Sequence, residues 1–251
     1  MKISVLSQNV MCWRCPGGQF AERRERMKRL FRRLDPDLIG FQEVTELWKS
    51  YFDEDLSGYE NVFKYRGADD LEAVPLYYKL DKFDLVDSGW FWLSETPDVE
   101  SNGPGAGYPR ITSWAILGCR DGGERLLFID THLDYASAAA RDCGVKTILR
   151  FIDEKSGGLP VVLTGDFNDV SYSAPVEEIK KTLSDSRLAA RETTEMNTHS
   201  SRFGEPGDAS IDYIFTRGCR VLTYSVEKEA DGPYPQSDHY GVFVTAELKN
   251  E

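Results

Sequence analysis

The chain carries Val161-Val162-Leu163-Thr164-Gly165-Asp166-Phe167-Asn168, an apolar run that ends in a carboxylate and an amide. The apolar part predicts a buried strand. Side chains alternate between the two faces of a strand, so Asp166 and Asn168 would point the same way if the strand continues that far. Because a hydrophobic core does not accept unpaired polar groups, these side chains indicate a polar site where the strand ends.

Other predicted strands carry polar side chains in similar places. Most stand at a strand end and one lies inside an apolar strand: Asn9, Glu43, His132, Asp212, Asp238 and His239. Any one of them has a structural alternative, such as a buried ion pair or a turn cap. As a set they are harder to explain structurally, since each would need its own partner if buried. They predict a shared catalytic rim.

The remaining pattern is a mixture of short strands and a few helices. Helices are predicted at about 20–34, 46–55, 137–154 and 175–183. Strands are predicted at about 3–10, 38–41, 59–65, 74–78, 83–93, 111–119, 124–132, 161–164, 211–215, 220–227 and 240–248. Strands at hairpin spacing favour an α/β layered fold with mixed or largely antiparallel sheets. No linker divides the chain, so a single domain over residues 1–251 is expected.

Composition and charge narrow the function classes. No apolar run approaches the roughly 20 residues that span a bilayer, so no stable membrane association is expected. The first residues enter a strand pattern without a secretory apolar segment, which predicts a cytoplasmic location, although a chain with its export signal removed would look the same. The net charge of −12 disfavours broad neutralisation of nucleic-acid phosphates. No dinucleotide or P-loop motif is present in the sequence.

Three further features have two interpretations each. The basic segment 22–33 is predicted to be the solvated face of an amphipathic helix, with attraction of an anion as the alternative. Cys12 and Cys15 lack a second cysteine pair for a zinc site, so free thiols are expected rather than a metal or redox pair. The aromatic run 90–92 is expected to pack in the core, with stacking on a base or sugar as the alternative.

Carboxylate and amide oxygens suit a hard divalent cation, so Mg²⁺ or Mn²⁺ is the expected cofactor. An EF-hand calcium loop at 166–169 is excluded because its glycine and distal glutamate are missing. Arg110 and Arg141 are candidate phosphate clamps, since a guanidinium group matches phosphate oxygens, and a structural ion pair is the alternative for each. His199 lies in a polar loop and is expected at the surface.

The strand-end motifs together resemble the endonuclease/exonuclease/phosphatase superfamily, and they occur in its order over almost the whole chain. They are Gln8-Asn9-Val10, Gly40-Phe41-Gln42-Glu43, Thr131-His132-Leu133, Gly165-Asp166-Phe167-Asn168, Ile211-Asp212-Tyr213-Ile214 and Ser237-Asp238-His239. Residues 88–97 and 108–111 resemble a bacterial branch of that superfamily. The resemblance implies a four-layer α/β sandwich in which two mixed, mostly antiparallel sheets pack face to face with helices outside. It also implies metal-dependent phosphoester hydrolysis at one end of the sandwich.

The resemblance further implies a role for each residue of the rim. Glu43 would be the principal Mg²⁺ ligand, with Asn9 and Asp238 on or near the metal. Asp166 would orient and deprotonate the attacking water, while Asn168 and His132 would bind phosphoryl oxygens. His239, oriented by Asp212, would complete this cradle or act as the general base, so the base stays open between Asp166 and His239.

The expected substrate is a small phosphorylated metabolite or nucleotide. A nuclease acting on single-stranded or damaged nucleic acid is the first alternative, and a non-catalytic binding module on the same fold is the second. The oligomeric state is not predicted.

Overall fold

The computed structural model describes residues 1–12, 20–194, 196–201, 203, 205, 207–231 and 234–249. The helices are α1 (Phe20–Leu34), α2 (Glu46–Asp55), α3 (Ala138–Lys155), α4 (Ala174–Lys180) and α5 (Ser186–Ala189). The strands are β1 (Lys2–Asn9), β2 (Leu38–Gln42), β3 (Tyr59–Val62), β4 (Leu76–Lys79), β5 (Phe83–Trp92), β6 (Ile111–Cys119), β7 (Arg125–His132), β8 (Val161–Asp166), β9 (Ser184–Asp185), β10 (Glu192–Thr193), β11 (Asp212–Arg217), β12 (Cys219–Glu227), β13 (Ala230–Asp231), β14 (Tyr234–Pro235) and β15 (Gly241–Leu248).

Two mixed sheets form the centre of the molecule. The first has the order β10-β12-β15-β1-β2-β4-β3, and the second has the order β5-β6-β7-β8-β11-β9. Most neighbours are antiparallel, but β1 runs parallel to β2 and β7 runs parallel to β8. Each of these parallel pairs is joined through a helix, α1 in the first sheet and α3 in the second. The carboxyl ends of parallel strands meet at one edge of a sheet, so each unit brings two motif ends together.

Apolar side chains fill three spaces, which define four layers. One cluster lies between the sheets and includes Val5 of β1 and Phe128 of β7. A second lies between the first sheet and helices α1 and α2, where Phe41 stacks on Phe52 at 4.3 Å between ring centroids. A third lies between the second sheet and helices α3 and α4. The order helix, sheet, sheet, helix confirms the predicted four-layer sandwich.

The sheets approach closely beneath the motif ends. Gly40 lies on β2, and a Cβ atom there would overlap Oγ1 of Thr164 and the carboxylate of Asp130. Asp130 is fully buried and accepts hydrogen bonds from Gln42 at 2.7 Å and Thr164 at 2.6 Å. Burial raises the pKa of Asp130 well above its usual value, although both hydrogen bonds oppose this shift. A polar layer therefore separates the apolar centre from the strand ends.

The basic helix α1 presents its arginines to acidic partners. Arg24 pairs with Asp55 at 2.7 Å, and Arg29 pairs with Asp231 at 2.9 Å. Met27 and Leu30 on its opposite side are buried against the first sheet. The amphipathic interpretation fits this arrangement, and the anion-binding alternative does not, because the paired guanidinium groups already have carboxylates.

Some elements differ from the sequence-based expectation. The helix predicted at 175–183 spans only Ala174–Lys180, and five short elements (β9, β10, β13, β14 and α5) were not predicted. These elements have two to four residues each, too few to show a periodic pattern. Among the described residues, no helix combines the length and the apolar character that crossing a membrane requires.

Candidate active site

The second sheet places three site residues in one row. In its register His132 of β7 lies beside Asp166 of β8, and Asp166 lies beside Asp212 of β11. All three stand on the face that turns toward the first sheet, as do the buried Thr164 and Ile214 farther down the strands. His132 Nε2 lies 3.5 Å from Asp166 Oδ2. Residues far apart in sequence thus share one surface because strand pairing aligns them.

The first sheet supplies Asn9 and Glu43 from the opposite side. Asn9 ends β1 and pairs in register with Gln42, the last residue of β2. Glu43 follows with a φ of 61°, a left-handed conformation that ends the strand. Asn9 Nδ2 donates to Glu43 Oε1 and to Asp166 Oδ2, each at 3.0 Å. These bonds join the two sheets at the site.

Asn9 is oriented as a hydrogen-bond donor toward the neighbouring carboxylates, and its place on or near the metal stays a prediction. The backbone N–H of Met11 donates to Asn9 Oδ1 at 2.9 Å, so the oxygen of this amide is occupied. The NH₂ group must then face Glu43 and Asp166, since only a donor can bond two carboxylates. In this arrangement Asn9 positions the two carboxylates.

Asp212 and His239 form a buried pair beside Asp166. His239 Nδ1 lies 3.0 Å from both oxygens of Asp212, and Thr198 Oγ1 donates to Asp212 Oδ2 at 2.7 Å. His239 Nε2 lies 3.7 Å from Asp166 Oδ2. Burial lowers the pKa of His239, but the carboxylates of Asp212 and Asp166 outweigh burial and raise it well above its ordinary value. Burial also raises the pKa of Asp212, and the nearby carboxylates favour the charged form of the imidazole.

Asn168 lies at the cleft, although not in the way that strand alternation suggested. Strand β8 ends at Asp166, and Asn168 has a left-handed φ of 48°. Its backbone N–H donates to Asp166 Oδ1 at 2.8 Å, and its Nδ2 donates to the Leu133 carbonyl oxygen at 3.1 Å. The turn fixes the Asp166 carboxylate and keeps Asn168 beside it. The strand ends before Asn168, so the expectation that Asp166 and Asn168 point the same way by strand alternation was wrong.

His132 contacts a carboxylate that the sequence analysis missed. Its Nδ1 lies 3.5 Å from Glu72 Oε1, and Arg66 Nη1 donates a hydrogen bond to the same oxygen at 2.5 Å. Arg110 Nη1 lies 3.8 Å from it. Glu72 follows no strand and belongs to no motif quoted above, so nothing in the sequence distinguished it from the many other acidic residues.

The two arginines predicted as clamps lie in different surroundings. Arg110 lines the cleft and is 5 % exposed, and its Nε and Nη1 atoms have no hydrogen-bond partner among the described residues. Arg141 is not among the residues that line the cleft. Its Nε pairs with Asp169 at 2.9 Å and its Nη1 donates to the Asp134 carbonyl oxygen at 3.0 Å. The structure therefore supports the ion-pair alternative for Arg141, and the clamp assignment is withdrawn.

His199 is a site residue that the surface expectation missed. It is only partly exposed, and its ring centroid lies 4.5 Å from that of His239. A backbone bridge joins the two histidines. Ligand atoms of His199, Asp238 and His239 all lie within 4.8 Å of one another. Asp238 thus groups with the two histidines, and its place on or near the metal stays a prediction.

The charges around Glu43 suit a bound cation. Burial raises the pKa of Glu43, but His132 and the hydrogen bonds from the Cys12 backbone and Asn9 outweigh burial and lower it to about 2. Ligand atoms of Glu43, His132 and Asp166 lie within 4.8 Å of one another. Two carboxylates with an imidazole and no thiolate fit Mg²⁺ or Mn²⁺. The Cys12 thiol is no ligand candidate, because burial and Glu43 raise its pKa. Cys15, the other half of the pair, lies outside the described residues.

The site opens into a cleft of about 1260 Å³. Glu43, His132, Asp166, Asn168 and His239 line its floor, and the remaining walls carry further acids and tyrosines. Of the run 90–92, Phe91 and Trp92 are buried and none of the three lines the cleft, so the core-packing interpretation holds for Phe91 and Trp92. The cleft is large enough for a small molecule, and its acceptors, donors and acids meet at one end.

Comparisons with known proteins agree with this geometry. An endonuclease/exonuclease/phosphatase family protein from Bacteroides thetaiotaomicron is 30% identical, with 98% of this chain and 97% of that chain covered and a TM-score of 0.91. The mannosyl-6-phosphatase Bt3783 of Bacteroides thetaiotaomicron is also 30% identical, with 98% of this chain and 99% of that chain covered and a TM-score of 0.89.

A more distant relative is Carbon catabolite repressor protein 4 homolog 3 of Arabidopsis thaliana. It is 24% identical over 215 aligned positions, and the match covers 80% of this chain and 45% of that protein. The chain thus spans about half the length of this curated relative. A model of the Endonuclease/Exonuclease/phosphatase family matches residues 6–239. The chain therefore belongs to the Endonuclease/Exonuclease/phosphatase family.

Proposed function

We propose that this protein is a metal-dependent phosphoesterase that hydrolyses a small phosphorylated metabolite by in-line attack of water. The observation that carries the proposal is the convergence on Asp166. Its carboxylate lies 3.0 Å from Asn9 Nδ2, 3.5 Å from His132 Nε2 and 3.7 Å from His239 Nε2. Asn9, His132 and Asp166 end three strands in two sheets, and His239 lies just before β15. Together they offer a carboxylate that can accept a proton and N–H groups that can donate to an oxyanion.

The acidic side of the site is the proposed cation position. Glu43 would hold Mg²⁺ or Mn²⁺ with His132 nearby, and Asn9 would orient the Glu43 carboxylate next to Asp166. When bound, such a cation polarises a phosphoryl oxygen and stabilises the leaving oxygen. Asp238 and His199 lie on the other side of Asp166, next to His239.

The imidazoles supply the proposed oxyanion donors. Negative charge grows on the phosphoryl oxygens in the transition state, and preorganised donors stabilise it more than they stabilise the substrate. Charged His239 donates through Nε2 because Asp212 holds its Nδ1 proton. His132 donates from the other side of Asp166. A protonated His239 cannot accept a proton, so Asp166 is the proposed general base.

Two observations favour a small substrate over a nucleic acid. The chain resembles, at 30% identity over nearly its full length, a Bacteroides protein named a mannosyl-6-phosphatase. The cleft walls also carry acids, among them Glu46, Asp69 and Glu100. Successive phosphates of a polynucleotide would lie within a Debye length of these carboxylates and be repelled.

Hydrolysis of p-nitrophenyl phosphate and bis(p-nitrophenyl) phosphate tests the proposal. We expect release of p-nitrophenol with Mg²⁺ or Mn²⁺ and loss of release with a chelator. Asp166→Asn and Glu43→Gln should each lower kcat by at least about 10²–10³, the usual cost of removing one such group. Glu60→Gln is the matched control, because Glu60 is exposed on β3 and does not line the cleft.

Either of two results would overturn the proposal. Hydrolysis that persists unchanged in Asp166→Asn and Glu43→Gln would place the chemistry elsewhere. Absence of hydrolysis with every ester and metal would favour a binding module on this fold. A 5′-phosphorylated oligonucleotide belongs in the same screen, since cleavage of the oligonucleotide alone would make the protein a nuclease.

A further inference from the structure

We propose that the outer half of the cleft is a subsite for a sugar ring, so that the substrate is a phosphorylated saccharide. This inference rests on the proposed function, because the phosphate must bind at the floor for the rest of the substrate to reach this region. This outer half is lined by Asp69, Asp70, Leu71, Glu100, Tyr108 and Tyr135, and Glu72 and Arg110 lie between it and His132.

Two tyrosine rings stand open to solvent at the cleft mouth. Tyr108 is 49% exposed and Tyr135 is 63% exposed, and both line the cleft. The Arg66 guanidinium lies 5.2 Å from the centroid of Tyr108, and the Arg110 guanidinium lies 5.9 Å from that of Tyr135. Each arginine covers part of a ring and fixes it while another part stays accessible. An exposed aromatic surface inside a cleft marks a binding surface, and it suits the apolar C–H face of a sugar.

Acidic side chains line the same cleft as these rings. They are Asp69, Asp70, Glu72 and Glu100, of which Asp70 and Glu72 also pair with Arg66 at 2.7 and 2.5 Å. A turn from Gly67 N to the Asp70 carbonyl oxygen, at 3.3 Å, shapes the segment, and the Ala68 N–H bonds Glu100 Oε2 at 3.0 Å. Ionised carboxylates only accept hydrogen bonds, and sugar hydroxyls are neutral donors. The ligand they favour is rich in hydroxyl groups and adds no charge beyond the phosphate.

Arg110 independently points to a ligand at the junction of floor and rim. It is more than nine-tenths buried and lines the cleft, yet its Nε and Nη1 find no hydrogen-bond partner among the described residues. The carboxylates nearest to these atoms are 3.6 Å away at Asp134 and 3.8 Å away at Glu72, beyond a normal hydrogen bond. Buried donors left unpaired are costly, so they require an acceptor. An ester, phosphoryl or ring oxygen of the substrate would satisfy them.

A nucleoside monophosphate is the competing ligand of the same size. Its base would also stack on a tyrosine, but it offers few hydroxyl donors to the four carboxylates. The observations therefore favour a sugar, and the competing ligand becomes an outcome of the test.

The test compares glucose 6-phosphate and mannose 6-phosphate with adenosine 5′-monophosphate and p-nitrophenyl phosphate. We expect at least one sugar phosphate to exceed the nucleotide in kcat/KM by tenfold or more. Tyr135→Ala and Tyr108→Ala should each raise KM for that sugar phosphate about tenfold, with kcat and p-nitrophenyl phosphate hydrolysis changed by less than about threefold. Tyr172→Ala is the matched control, because Tyr172 is 81% exposed and does not line the cleft.

A calorimetric measurement keeps the two proposals separable. Sugar phosphate binding to Asp166→Asn in the presence of Mg²⁺ should be weakened about tenfold when Tyr135→Ala is added. Two results would overturn the sugar subsite and leave the proposed phosphoesterase activity standing. One is a higher kcat/KM for the nucleotide than for either sugar phosphate. The other is that the tyrosine variants impair p-nitrophenyl phosphate hydrolysis as much as sugar phosphate hydrolysis. If the wild type does not hydrolyse p-nitrophenyl phosphate, that result counts against the proposed function. Calorimetry would then still decide whether the sugar subsite exists.

Discussion

Asp212 contacts His239 and does not line the cleft itself, so its proposed role is to position that imidazole. It is buried on β11, and both of its oxygens lie 3.0 Å from His239 Nδ1. This contact fixes the ring orientation and leaves Nε2 turned toward Asp166, 3.7 Å away. The sequence indicated the pair only through the motifs that contain it. The raised pKa of His239 required the spatial arrangement, because the two carboxylates that cause it come from different strands.

Replacing Asp212 by Asn should lower the pKa of His239. Burial disfavours the charged imidazole, and in this variant the Asp212 carboxylate no longer offsets that effect. Chemical shifts of the imidazole followed against pH in the metal-free protein would measure the change, with His132 and His199 as internal references. An unchanged pKa would contradict the assigned role of Asp212.

Replacing Asp212 by Asn should also lower the unfolding free energy in a way that depends on pH. Because the folded pKa of His239 is raised, its charged form stabilises the folded state below the unfolded pKa of about 6.5, and this contribution is lost as pH rises through the folded value. The wild type should therefore exceed Asp212→Asn in unfolding free energy most at pH 6, and the difference should shrink at high pH.

Single residues also mark where sequence reasoning failed. Glu43 and Asn168 were identified, but their left-handed backbones were not foreseen, and these set the direction of both side chains. For Arg141 the sequence left a phosphate clamp and an ion pair open, and its partner in the structure is Asp169. His199 and Glu72 lie in segments without periodic structure. No local pattern tells which loop residue folds back onto a site.

At the scale of elements, the strands were the part of the fold that the sequence pattern predicted best. Alternation and apolar runs located β1, β2, β7, β8, β11 and β15, because their buried faces constrain which residues can stand there. Their pairing was not predictable from local pattern. The register that places His132, Asp166 and Asp212 side by side depends on two strand pairings, His132 with Asp166 and Asp166 with Asp212, which join residues 34 and 46 positions apart in the chain. The family resemblance supplied that arrangement.

The close approach of the sheets at Gly40 gives a prediction for β2. Gly40→Ala would press a methyl group against Thr164 and Asp130, so we expect a loss of about 1–3 kcal/mol in unfolding free energy. Gly58→Ala is the matched control, since a Cβ at Gly58 meets no atom within 4 Å and should cost little. Urea unfolding of both variants measures the difference. Equal stabilities would show that the sheets do not pack here as described.

Over the whole molecule, charge is arranged in two different ways. Arginines of α1 are paired with acids from α2 and from the segment around β13, which neutralises that surface. The cleft, by contrast, combines many acids with Arg66, Arg110 and three histidines. A net charge of −12 alone disfavours nucleic acid only weakly. The acids that line the cleft make the argument specific to the proposed site.

Crystals soaked with Mn²⁺ and inorganic phosphate provide the most direct measurement of whether one cation and one phosphate share this cleft. We predict an anomalous Mn²⁺ peak within about 2.5 Å of a Glu43 carboxylate oxygen. We also predict phosphate oxygens within hydrogen-bond distance of His132 and His239. A Mn²⁺ peak elsewhere, with none beside Glu43, would contradict the site described for this protein.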